Sequence, residues 1–160
     1  MPTWFDRLRS LESLRQRALR KLPDSVSGGV MHDYLSTPFI HPNTAIHAAP
    51  IVSLDLETTG LNAKQDQILS IGLVPLQERH IQLTNHQHYL IRLPQPLPEK
   101  SVVIHHITDD EMRQGKELAS IMPTLLAQLK GKVMLVHYRP IEQQFLHAAC
   151  QRLYGVPFLI

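Results

Sequence analysis

A single cysteine, Cys150, stands among 160 residues, which excludes an internal disulfide framework and fits a reducing compartment. It falls on a helical pattern and reads as a small buried residue. No apolar run approaches the length that spans a bilayer, and the N-terminus lacks the uninterrupted apolar segment of a signal peptide. A cytoplasmic location is therefore expected. Internal repeats and low-complexity tracts are missing, as are a Ser/Cys–His nucleophile set, zinc-spaced Cys/His and a phosphate-cradling glycine loop. Strong charge of one sign is missing too, since the formal net charge is +2. What is present is an apolar content of 43%, enough for one α/β domain with a real core and a modest extension.

The small net charge conceals an asymmetry. Residues 1–22 carry six basic groups against Asp6 and Glu12, whereas the rest of the chain has ten basic and twelve acidic groups. Trp4, Phe5, Leu8, Leu11, Leu14, Ala18, Leu19 and Leu22 recur at helical spacing, with the basic residues mostly on the other faces, and Pro23 ends the pattern. This predicts an amphipathic helix over residues 1–22. Such a helix can pack on its own domain or bind a protein partner, an anionic surface or nucleic acid, and the pattern does not choose among these. Residues 23–49, punctuated by Pro23, Gly28, Gly29, Pro38 and Pro42, read as a linker, with one docked stretch around Tyr34-Leu35 and Phe39-Ile40. Residues 50–160 form the main domain, and their slight acidity leaves metal ions to supply much of any attraction for phosphate.

The chemistry concentrates at Ile51–Gly60, I-V-S-L-D-L-E-T-T-G. A β-branched apolar run enters, Asp55 and Glu57 follow, and Thr58-Thr59-Gly60 makes the turn. In a strand, residues i and i+2 share a face, so the two carboxylates converge where the strand leaves the core. Adjacent carboxylates repel and cost desolvation unless a cation or proton lies between them, and hard oxygen ligands suit Mg²⁺ or Mn²⁺. The bland alternative is that the acids simply begin a loop.

Further strands are expected over Gln67–Leu76 and Ile81–Leu93, and their short connections imply antiparallel pairing. Thr108 with Glu111 makes a capping box. A helix follows over Glu117–Leu129, ended by Gly131; then come a strand at Val133–Val136, a helix from Pro140 to about Leu153, and an apolar strand from Val156 to Ile160.

D-L-E-T-T-G resembles the first motif of the DEDDh-type 3′–5′ exonucleases, the family of the proofreading epsilon subunit of bacterial DNA polymerase III and of ribonuclease T. The order of elements over residues 50–160 is similar to theirs. The resemblance implies an α/β, RNase H-like fold, a mixed sheet flanked by helices, here incomplete at the C-terminus and preceded by the N-terminal helix. It implies two divalent metal ions, Mg²⁺ or Mn²⁺, held by Asp55, Glu57 and Glu142. Glu142 lies in His137-Tyr138-Arg139-Pro140-Ile141-Glu142, similar to the family's H-N-x-x-F-D pattern, with Glu replacing the usual Asp. As an acid in a first helical turn, Glu142 also has an adequate role against the helix dipole. Thr58 and His105 are the residues implied to meet nucleic acid; His105 belongs to Ile104-His105-His106-Ile107-Thr108, which resembles H-G-I-T, and is otherwise an ordinary surface histidine. The partner implied is a nucleic-acid 3′ end, single-stranded DNA.

The family's third motif, H-x-x-x-x-D, is absent; His105 and Asp110 show its spacing but precede the second motif and overlap the capping box. The expectation is thus a 3′–5′ exonuclease by descent, weak or inactive in this chain. Strand positions such as Leu69, Ile71 and Leu73 are expected to be partly uncovered. Rival classes are a catalytically inactive nucleic-acid- or polymerase-binding module on the same fold and a different metal-dependent phosphoesterase.

Overall fold

A computed structural model describes residues 4–26, 28–78, 80–94 and 107–160. At its centre is β1 (Ile51–Thr58), where Val52, Leu54 and Leu56 turn inward and Ser53, Asp55 and Glu57 project from the other face. That alternation is the period of the pleat. β1 pairs antiparallel with β2 (Ile68–Gln77), which in turn pairs antiparallel with β3 (His80–Ile81) and with β4 (Gln87–Leu90). On its other side β1 pairs parallel with β5 (Val133–Leu135), giving a mixed sheet of order β3-β2-β1-β5 with β4 also on β2.

The helices among the described residues are α1 (Trp4–Arg20), α2 (Val30–Ser36), α3 (Asp109–Gln114), α4 (Leu118–Leu129) and α5 (Arg139–Tyr154). The capping box is formed: Glu111 N–H donates to Thr108 Oγ1 at 3.3 Å, and Thr108 N–H donates to Glu111 Oε2 at 2.8 Å. The Thr108 N–H and the Thr108 hydroxyl, both donating to Glu111 Oε2, hold that carboxyl below its ordinary range. α4 ends at Leu129, and Gly131 follows with φ +68°, a left-handed conformation that favours glycine.

Three expectations are corrected. The third strand is not continuous from Ile81 to Leu93: a 3₁₀ turn at Leu83–Asn85 splits it, because Thr84 and Asn85 favour a turn that Asn85 N–H closes on the Gln82 carbonyl at 3.0 Å. Val156–Ile160 is not a strand. Pro157 has no N–H to give a ladder, and the segment instead buries Val156, Phe158 and Leu159 against the rest of the core. Leu69, Ile71 and Leu73 are covered, each at 2% exposure or less. Ile71 and Leu73 share the main core with Met122, Leu125 and Leu126 of α4, and Leu69 packs with Ile107 and Met112.

The stretch read as a linker contains α2, whose Met31, Tyr34 and Leu35 join the main core. Gly28 and Gly29 obscure that helix in the sequence because they stand immediately before its start. The Tyr34 hydroxyl donates to the Leu159 carbonyl at 2.7 Å, and its ring stacks on Phe158 with centroids 5.5 Å apart. α1 is anchored on α2 through Arg15, a basic residue turned inward rather than outward. Its guanidinium donates to the Leu35 carbonyl and to both Glu12 oxygens, at 2.6 and 2.8 Å for the latter pair. None of the described helices is long and apolar enough to cross a membrane.

Candidate active site

Asp55 and Glu57 do share the outward face of β1, Asp55 exposed and Glu57 partly so. The antiparallel register puts Gly72 opposite Asp55 and Ser70 opposite Glu57. A Cβ at Gly72 would meet nothing nearer than the Asp55 carbonyl at 3.9 Å, so the sheet leaves room beside the first acid.

Beyond the strand, the turn is held by its own hydrogen bonds. Thr58 is buried, and its hydroxyl donates to the Gly60 carbonyl at 2.7 Å. Thr59 pairs with Gln67 through the Thr59 N–H to the Gln67 carbonyl at 2.9 Å, with Gln67 N–H returning to Thr59 Oγ1 at 3.0 Å. The Asp66 carboxylate folds back over Gly60, accepting from Asn62 N–H at 2.8 Å and from Thr59 Oγ1 at 3.3 Å. A Cβ on Gly60 would stand 2.5 Å from that carboxylate, so the turn needs glycine by close approach.

Glu142 reaches the same region from the other side. The parallel register pairs Ser53 with Leu135, where β5 ends two residues short of the level of Asp55 on β1. The chain then turns into α5 at Tyr138, with Pro140 in the first turn, and Glu142 follows. Glu142 is only 3% exposed, and its Oε2 has no hydrogen-bond partner among the described residues. Burial pushes its carboxyl above the ordinary glutamate range; its own backbone N–H pulls the other way, Asp55 adds to the rise and His137 opposes it. A surface capping acid has no reason to be buried with one oxygen orphaned.

The structure thus puts Asp55 within electrostatic reach of the Glu142 carboxyl, and Glu57 lies two residues further along the same face of β1. Among the described residues, no group of three or more His, Cys, Asp or Glu is close enough to enclose a metal ion. The donor set nevertheless fits a divalent cation. Its oxygens are hard, and the orphaned Glu142 oxygen beside a second carboxylate is the kind of group a cation satisfies. His105 lies outside the described residues. His137 belongs to the second motif as read from sequence and directly precedes the N-cap of the helix that carries Glu142.

A mixed sheet of this order flanked by helices is an RNase H-like, exonuclease-type fold. Comparison with known proteins agrees. An exonuclease family model, RNase T in type, matches residues 52–157. The chain belongs to this exonuclease family. It is 26% identical over 114 residues to the PolC-type DNA polymerase III of Thermotoga petrophila, and 30% identical over 105 residues to the DNA polymerase III epsilon subunit of Treponema pallidum. These alignments cover 71% and 65% of the chain but only 8% and 48% of the relatives, so the chain matches a minor part of each. Among solved structures it resembles Escherichia coli exonuclease I in complex with a 5cy-dT13 oligonucleotide, with a TM-score of 0.59 and 14% identity over 69% of this chain and 25% of that one. A metal-free exonuclease I complex with single-stranded DNA gives a TM-score of 0.58 at 13% identity, over 66% of this chain and 24% of that one. At these identities the likeness establishes the shared fold.

Proposed function

We propose that the chain is a metal-dependent 3′–5′ exonuclease that hydrolyses the terminal phosphodiester of nucleic acid, acting on single-stranded DNA. The observation that carries this is the pairing of Asp55 with the buried, half-unpartnered carboxyl of Glu142. A divalent ion, Mg²⁺ or Mn²⁺, held by Asp55 and Glu142 with Glu57 alongside would offset phosphate charge and activate water for attack. The chain's own residues fix where that happens. β1 aims Asp55 and Glu57 outward, Gly72 keeps the space beside Asp55 open, and the Thr58–Gly60 turn ends the strand at the rim. α5 presents Glu142, buried, from its first turn. Support for the substrate comes from the relatives, which are named as DNA polymerase III components, and from neighbours solved with single-stranded DNA.

The test is a 5′-labelled single-stranded oligonucleotide incubated with the folded chain and Mg²⁺ or Mn²⁺. The expected product is a ladder shortening from the 3′ end with release of mononucleotides, and Glu57→Ala should slow it by about 10²-fold or more. One observation favours a second reading, a nucleic-acid-binding module without turnover: no three acids cluster among the described residues. Tight binding of the oligonucleotide with no shortening at millimolar Mn²⁺ would select that reading.

A further inference from the structure

Where β5 gives way to α5, the fold sets an aromatic ring in solvent at the edge of the acid pair. Tyr138 is 60% exposed and occupies the N-cap of α5, yet its side chain makes no cap hydrogen bond. A serine, threonine, asparagine or aspartate would serve that position better. Tyr138 has no ion pair, ring contact or side-chain hydrogen bond among the described residues. Its backbone is fixed all the same, because the Tyr138 carbonyl accepts from Ile141 N–H at 3.0 Å and opens the helix. The ring therefore neither caps nor packs, and it stands on a rigid element.

Its placement gives it a use. Tyr138, the N-cap, precedes Glu142 by four residues at the start of α5, about 6 Å away along the axis by helical rise. Its chain neighbours are His137 on one side and the exposed Arg139 on the other. An exposed, unengaged ring at the start of the helix that carries the buried Glu142 carboxyl is a surface on which a planar base can lie while its phosphate meets Glu142 and the exposed Asp55. Stacking of this kind accepts any base, because every base offers a π face.

We propose that Tyr138 is a base-stacking residue that carries the 3′-terminal base of a single strand whose last phosphodiester lies at Asp55 and Glu142. The proposal rests on the exonuclease reading and adds the residue that holds the end of the substrate. It predicts that loss of the ring and loss of the terminal base remove the same interaction.

The experiment measures fluorescence anisotropy of a 5′-fluorescein oligothymidylate on the whole chain in Ca²⁺, with an ordinary or an abasic 3′-terminal position. Wild type should bind the abasic oligonucleotide about tenfold more weakly than the ordinary one. Tyr138→Ala should bind both at that weaker level, Tyr138→Phe should behave as wild type, and all three should melt alike because the side chain is exposed. Equal affinity of Tyr138→Ala and wild type for the ordinary oligonucleotide would overturn the proposal. So would a tenfold abasic penalty that persists in Tyr138→Ala. If wild type binds neither oligonucleotide, the exonuclease reading falls first and the stacking role falls with it.

Discussion

The carboxyl of Glu142, buried at the first turn of α5, lies within electrostatic reach of Asp55 on the central strand, and Asp55 raises the proton affinity that burial has already given it. Eighty-seven residues of chain separate the two. They meet because the parallel pairing of β5 with β1 delivers the start of α5 beside the outward face of β1. The result is a site that favours either a proton or a cation.

The first prediction follows from that choice in metal-free protein. Glu142 has its folded-state pKa raised above the ordinary value of 4.5, so the folded state binds its proton more tightly than the unfolded state. The stabilising proton is fully in place below the ordinary value and is lost as pH rises through the raised one. Urea unfolding in EDTA should therefore show stability falling with rising pH across that window, and Glu142→Gln should flatten the dependence. A wild-type profile unchanged by Glu142→Gln would show that this carboxyl does not titrate as described.

Metal should act in the opposite sense. At about 100 times its Kd, a bound divalent ion adds about 2.7 kcal/mol, a rise of roughly 5–10 °C in melting temperature for a chain of this size. Mn²⁺ at millimolar concentration should produce it at neutral pH, and Asp55→Ala or Glu142→Ala should abolish it. Thermal scans with Mn²⁺ and with EDTA that superimpose in the wild type would exclude a metal site here.

Gly60 tests the turn that ends β1. Alanine at 60 would push the Asp66 carboxylate away from Asn62 N–H and Thr59 Oγ1, the two bonds that hold it. The expected cost is about 1–3 kcal/mol, with weaker exonuclease activity because the Glu57 end of the strand loses its anchor. On an Asp66→Ala background the steric part disappears, so Gly60→Ala should cost much less there. Additive losses in the double variant would place the strain elsewhere.

Tyr34 tests whether residues before β1 belong to the core. Phenylalanine at 34 keeps the ring on Phe158 but leaves the Leu159 carbonyl without its donor. Chemical denaturation should report a loss of about 1–2 kcal/mol, the cost of stranding one buried acceptor. A neutral substitution would mean that water replaces the hydroxyl and that this junction opens readily.

Much of the fold was legible because its signals are local. The β-branched run and its alternation mark β1, Thr108 with Glu111 marks the start of α3, and Pro140 marks the start of α5. Boundaries failed where a local rule was outweighed or overlooked. Thr84 and Asn85 broke a strand that apolar content suggested, and Pro157 kept an apolar tail out of the sheet. Periodicity places the basic residues mostly away from the apolar stripe, and it cannot see that α2 offers Arg15 the Leu35 carbonyl.

For the site itself, the sequence by itself determined that Asp55 and Glu57 share a face, since the two-residue period of a strand is a property of the backbone and needs no partner. It also placed an acid in the first turn of the helix after the fourth expected strand, without saying whether that acid faces water. Only the tertiary structure decided that Glu142 is buried beside Asp55 with an oxygen unpaired, and that Tyr138 stands free at its rim. Those facts depend on the register between β1 and β5. Register between distant segments is set by side-chain packing across the whole sheet, and no local pattern contains it.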